Sequence, residues 1–147
     1  MEQEIQKKLS GKHLILYDGV CALCNGFNKF VLPRDKRDVF RFASLQSPFA
    51  REILDGFGRS ASALNTIYVI ANFGLPEQSL KERADAALFV LDQIGGLYSF
   101  SRVLRVFPRS LLDQIYNFIA KNRYRLFGKY ETCLLPDATN AEKFIGV

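Results

Sequence analysis

The 147-residue chain has no tryptophan, one histidine, one methionine and only three cysteines. Three thiols are too few for the disulfide framework of a small secreted domain, and an odd count suits a reducing compartment. Long apolar runs are missing too. The longest, Ala86 to Leu91, falls far short of the roughly 20 residues that cross a bilayer. The first residues, Met1 to Lys8, alternate in charge around no apolar core, so no secretory signal is expected. No internal repeat, low-complexity segment, glycine-rich phosphate loop, zinc-knuckle spacing or RRM-type aromatic signature is present. These absences predict a soluble, cytoplasmic protein with neither a membrane nor a nucleic acid among its partners, and with no cofactor and no metal.

Hydrophobic residues make up 48% of the chain and charged residues 24%, an ordinary globular composition. The length suits one domain with a proper core. The net charge of +5 is uneven. Between Arg102 and Lys129 stand Arg102, Arg105, Arg109, Lys121, Arg123, Arg125 and Lys129 against one acid, Asp113. Such a stretch reads as a solvated helix surface, with steering of acidic partners as the functional alternative.

The informative segment is Leu14-Ile15-Leu16-Tyr17-Asp18-Gly19-Val20-Cys21-Ala22-Leu23-Cys24-Asn25, an apolar strand that runs into a Cys-x-x-Cys turn. The first turn of a helix carries partial positive charge and stabilises a thiolate, the reactive form of cysteine. Two intervening residues let the second sulfur fold back onto the first. A Cys-x-x-Cys pair beside a strand–helix pattern points to thioredoxin-like redox chemistry.

The patterning predicts strands over His13–Tyr17, Val39–Ser44 and Thr66–Ile70, with a short fourth over Ser79–Arg83. Helices are predicted from Cys24 to about Leu32 and from Ser47-Pro48 to Gly56, the latter with Ser as cap. A third covers Ala84 to Ile94. The order βαβ-α-ββα is that of an α/β, thioredoxin-like mixed sheet flanked by helices. Residues 12–96 form this core; residues 97–147 are a helical C-terminal extension packed on it. The extension holds a short helix over Phe100–Phe107 and a longer one opened by Pro108, with a wide apolar stripe including Leu111, Ile115, Phe118 and Ile119.

Asp18-x-x-Cys21-x-x-Cys24 resembles the signature of the DCC family of predicted thiol–disulfide oxidoreductases. Ala84-Asp85-Ala86-Ala87-Leu88, Pro108, Asn122-Arg123-Tyr124-Arg125-Leu126-Phe127-Gly128 and Cys133 resemble later landmarks of that family. The likeness spans roughly residues 12 to 135. It implies an enzyme that exchanges thiols and disulfides without an organic cofactor, acting on a protein or low-molecular-weight disulfide.

Cys21, nearest the helix start, is the expected nucleophile, and Cys24 the resolving thiol. Asp18 is expected to cap the helix and shape the turn with Gly19; the alternative is that it takes the proton from Cys24. Unlike well-known thioredoxins, the chain has no Trp before the pair and no Pro ahead of the third strand, where Ala63-Leu64-Asn65-Thr66 stands. Cys133 reads as a buried packing residue, and His13 as a surface or edge residue. Cys21, Cys24, Cys133 and His13 would supply a Cys₃His zinc set, although a single Cys-x-x-Cys matches no familiar zinc template. Arg83 and Asp85 are expected to cap the helix they flank. Arg123, Tyr124, Arg125 and Lys129 read as a helix end favourable to its own dipole, or else as a rim for acidic groups. A non-catalytic protein-binding module and a zinc-stabilised binding domain are the alternative functions.

Overall fold

A computed structural model describes residues 2–18, 22–59, 67–95, 106–122, 125–126 and 143–145. The elements are α1 (Glu2–Leu9), β1 (His13–Tyr17), α2 (Ala22–Val31), β2 (Phe40–Ser44), α3 (Pro48–Gly56), β3 (Tyr68–Ala71), β4 (Ser79–Glu82), α4 (Arg83–Ile94) and α5 (Arg109–Lys121). The strands form one sheet in the order β2-β1-β3-β4. β1 runs parallel to β2 and antiparallel to β3, and β3 is antiparallel to β4. A βαβ unit joined to a ββα unit in this order is the thioredoxin-like arrangement that the patterning predicted.

Side-chain alternation along the strands builds two apolar layers. Leu14 and Leu16 of β1 face one way, with Ala43, Tyr68 and Ile70, and pack against Leu9 of α1 and Ala50 and Leu54 of α3. Ile15 and Tyr17 face the other way, with Phe40, Phe42 and Val69, against Val31 of α2 and Ala86 and Val90 of α4. β1 is therefore buried along its whole length. Each large side chain wholly removed from water contributes about 1.5–3 kcal/mol.

α1 was not legible as an element. Its charged residues hide Ile5 and Leu9, and Leu9 is wholly buried in the first layer. α2 begins at Ala22, two residues earlier than expected, and ends where Leu32–Arg34 tighten into a 3₁₀ turn holding Pro33. α3 matches the expectation closely: Ser47 caps it by accepting a hydrogen bond from Ala50 N at 3.2 Å, with Pro48 in its first turn.

The long helix α5 opens after Pro108 as predicted. Its inward face is narrower than the apolar stripe suggested. Leu112 and Tyr116 are half-buried and Ala120 buried, while Ile115 and Phe118 are exposed, Phe118 by 68%. Residues one turn apart form a single row on a helix, so only that row meets the body of the fold. The helix expected over Phe100–Phe107 lies mostly outside the described residues. Near the C-terminus Phe144 stacks on Phe42 at 5.1 Å, and Ile145 N donates to Phe42 O at 2.7 Å, extending the β2 edge of the sheet. Among the described residues, no helix is long and apolar enough to cross a membrane.

Candidate active site at the end of the first strand

The parallel pairing of β1 and β2 sets Tyr17 beside Ser44, so the turns that follow both strands emerge at the same end of the sheet. Leu45 N donates to Tyr17 O at 2.7 Å and continues the ladder one step past the strand. Ser47 Oγ donates to Ser44 O at 2.7 Å. The β2–α3 turn is thereby fixed, and it presents Gln46 toward the residue that follows β1.

That residue is Asp18, 1% exposed. Its Oδ1 accepts a hydrogen bond from Gln46 Nε2 at 2.7 Å, and Gln46 Oε1 in turn accepts from Ser44 Oγ. A buried carboxylate lacking donors costs several kcal/mol, so the amide is part of what lets an acid sit here. Neither Gln46 nor Ser44 was singled out from the sequence. The available signal was topological: parallel neighbouring strands bring their C-terminal turns together, and Gln46 sits immediately before the Ser-Pro helix start. The capping expected of Asp18 involves residues 19–21, which lie outside the described residues.

Cys24 lies in the first turn of α2, half-buried, and packs against the layer that contains Tyr17 and Val31. Its partner in the motif, Cys21, falls outside the described residues, as does Cys133. The structure thus places Cys24 on a helix that starts four residues after Asp18, at the end of the sheet where the buried carboxylate sits. One turn further along α2 is Asn28, 3% exposed, and among the described residues neither its Oδ1 nor its Nδ2 has a hydrogen-bond partner. It occupies a position on the apolar stripe between Cys24 and Val31, a local break in the pattern.

His13 is not a surface residue. It begins β1, is buried, and its ring packs edge-on to Phe89 at 4.9 Å. Nδ1 accepts a hydrogen bond from Asn72 N at 3.1 Å. Burial, reinforced by the charge of Arg37, holds this imidazole below its usual range, against opposing effects of Asp35 and Gln93. The four steps of β1 from His13 to Tyr17 span roughly 13 Å. Zinc ligands sit about 2.0–2.3 Å from their metal. Of the zinc set considered from the sequence, His13 stands at the end of β1 opposite the turn that leads to Cys24, and Cys21 and Cys133 lie outside the described residues.

The segment Ala63-Leu64-Asn65-Thr66 lies outside the described residues, but its continuation, Ile67, donates its N–H to Tyr116 Oη at 2.8 Å. Through Tyr116 the helix α5 is anchored to the approach to β3. The N-cap position of α4 is Glu82, whose side chain makes no cap hydrogen bond; Arg83 opens the helix, and Asp85 stands in its first turn, where the helix dipole favours an acid, with Arg109 3.9 Å away. Arg125 is exposed, whereas Arg123, Tyr124 and Lys129 are outside the described residues.

The fold is thus a thioredoxin-like sheet with a buried acid and a helix-start cysteine at one end. Residues 15–129 match the family model of DCC1-like thiol-disulfide oxidoreductases, and the chain belongs to that family. It is 31% identical over 132 residues to the uncharacterized protein YuxK of Bacillus subtilis, covering 90% of this chain and 93% of that protein. It is also 31% identical over 123 residues to the DCC family protein At1g52590, chloroplastic, of Arabidopsis thaliana, covering 83% of this chain and 69% of that protein. No solved structure matches the chain.

Proposed function

We propose that the protein is an enzyme in which Cys21 and Cys24 form a working dithiol–disulfide couple. The Cys21 thiolate attacks one sulfur of a substrate disulfide, forming a mixed disulfide and releasing the first substrate thiolate. Cys24, as its thiolate, then attacks Cys21 Sγ. The second substrate thiol leaves, and an intramolecular disulfide remains. Two electrons pass from the protein dithiol to the substrate, and no organic cofactor takes part. The substrate is a protein or small-molecule disulfide, and a reducing compartment such as the cytoplasm would regenerate the dithiol.

The observation that carries this reading is the position of Cys24 in the first turn of α2, directly after β1 and its buried Asp18. A helix start favours the thiolate, and partial burial suits a resolving rather than an attacking thiol. Asp18, held by Gln46, serves to fix the turn. The decisive experiment measures reduction of a peptide disulfide by the parent, Cys21→Ser and Cys24→Ser proteins. Cys21→Ser should be inactive, and Cys24→Ser should accumulate a mixed disulfide through Cys21. Full activity in Cys21→Ser, or a mixed disulfide on Cys133, defeats the assignment.

A further inference from the structure

Helix α2 carries asparagine where its pattern calls for apolar residues. Asn25 and Asn28 are 8% and 3% exposed, on the face that sets Cys24 and Val31 against the second apolar layer. Asparagine is a poor residue for a helix interior, because its amide competes for backbone hydrogen bonds. Asn28 adds a second cost: among the described residues, neither Oδ1 nor Nδ2 has a hydrogen-bond partner. A buried amide without partners destabilises a fold, so its presence calls for a use. Breaks in a local pattern collect at functional sites, and this one stands one turn from a thiol of the proposed couple.

Cys24 and Asn28 are four residues apart, so they lie on successive turns of one helix face, with about 5–6 Å between their Cβ atoms. Side chains of a helix lean toward its N-terminus, so Asn28 leans over the turn that holds Cys24. The surroundings are apolar. Phe27 and Phe30 of α2 pack against the same layer, to which β2 presents Phe40 and Phe42 and α4 presents Ala86 and Val90. Among the described residues, the other titratable groups of the layer are Tyr17 of β1 and Tyr116 of α5, with Asp18 buried where β1 ends. A thiolate in apolar surroundings lacks water to hold its charge, and a carboxylate at the same end of the sheet repels it. The helix start offsets part of this. A hydrogen-bond donor aimed at the sulfur offsets more, and such a bond is strong where the dielectric is low.

We infer that Asn28 is a positioning residue: its Nδ2–H donates to the Cys24 thiolate and holds that sulfur ready for the step that releases the substrate. This rests on the exchange chemistry proposed above and names the group that prepares its second step. Cys24 first gives its proton to water. Its sulfur then bonds to Cys21 Sγ as the Cys21–substrate disulfide breaks, and the electron pair of the broken bond leaves on the substrate sulfur. The amide has no partner among the described residues while Cys24 is a thiol and gains one with the thiolate, so it favours the charged form alone. An apolar residue in its place makes a more stable fold and a slower second step.

The test titrates Cys24 by itself. In the full-length protein carrying Cys21→Ser and Cys133→Ala, Cys24 is the one remaining thiol, and its alkylation rate against pH reports its thiolate. Asn28→Leu and Asn28→Ala, each added to that background, should move the midpoint up by about one pH unit, the size of one hydrogen bond to a charged acceptor. Asn28→Gln, which keeps an amide donor, should stay closer to the parent. Circular dichroism shows that each protein is folded across the titration. With all three cysteines in place, the mixed disulfide on Cys21 should form at the parent's rate in Asn28→Leu. Its resolution near neutral pH should slow about threefold, because a tenfold loss of thiolate is partly offset by the greater nucleophilicity of each one. A purely structural role for Asn28 would leave the midpoint where it was. A midpoint unmoved in both Asn28→Leu and Asn28→Ala, or moved as far in Asn28→Gln, overturns the inference and leaves the redox reading standing. The expected shift in a protein whose parent reduces no disulfide refutes the redox reading and upholds the pairing of amide and thiolate.

Discussion

Gln46 Nε2 stands 2.7 Å from Asp18 Oδ1, so the turn after β2 holds the carboxylate that ends β1. The two residues are 28 positions apart in the chain and meet only because β1 and β2 are parallel and in register. Both lie where the Cys-x-x-Cys turn begins, and their contact ties the stability of the fold to the geometry of the proposed site.

Gln46→Ala removes a donor from a nearly inaccessible carboxylate and should cost about 1–3 kcal/mol of stability. Asp18→Asn keeps an acceptor for the same amide and should cost less, with exchange activity close to the parent's. A double-mutant cycle in urea, with activity measured on each protein, checks both statements. Collapse of turnover in a well-folded Asp18→Asn would make the carboxylate a proton acceptor instead of a structural anchor.

His13 gives stability a pH dependence whose sign follows from its lowered folded-state pKa. Below about 6.5 the unfolded chain binds a proton on this imidazole while the folded protein resists it. Stability is then lost as the pH falls from 6.5 through the folded value, and below both values the loss is complete and levels off. Asp38, whose carboxyl is held down chiefly by its hydrogen bond from Arg41, contributes stability that is lost only at more acid pH. Urea midpoints for parent and His13→Asn should diverge between pH 7 and pH 5, with the steeper fall in the parent. Parallel curves would mean that another group controls that window.

Asn28 is buried with both amide atoms unpartnered among the described residues, a cost that an apolar side chain of similar volume does not incur. Asn28→Leu should raise stability by on the order of 1 kcal/mol, read as a higher denaturation midpoint at constant slope. A destabilised Asn28→Leu protein would show that the amide is satisfied in solution, for instance by an internal water.

The third cysteine distinguishes a two-thiol couple from a relay. Mild oxidation should join Cys21 to Cys24 and leave Cys133 unjoined, as read by peptide mapping without reductant. Cys133→Ala should keep exchange activity, with a stability change inside the common range of about 0.5–3 kcal/mol for single substitutions. A Cys21–Cys133 disulfide would contradict this.

What the sequence determined by itself was local. The apolar run Leu14–Leu16, the Ser47-Pro48 start and the helix opened by Pro108 are short-range patterns, each with its own physical cause, and all three appear as read. The βαβ-α-ββα order followed from them. Placement across the fold was decided elsewhere. His13 looked peripheral because a lone polar residue at a strand start usually is, yet pairing with β2 and β3 and the ring of Phe89 enclose it. Ile5 and Leu9 looked too sparse to make a core helix until the first layer supplied a surface for them. Gln46 gained a partner, Asp85 came within 3.9 Å of Arg109, and Tyr116 reached Ile67 across 49 residues. Hydrogen bonds and burial of that kind depend on which strand ends lie side by side, and strand pairing is a property of the folded chain that no local pattern of residues contains.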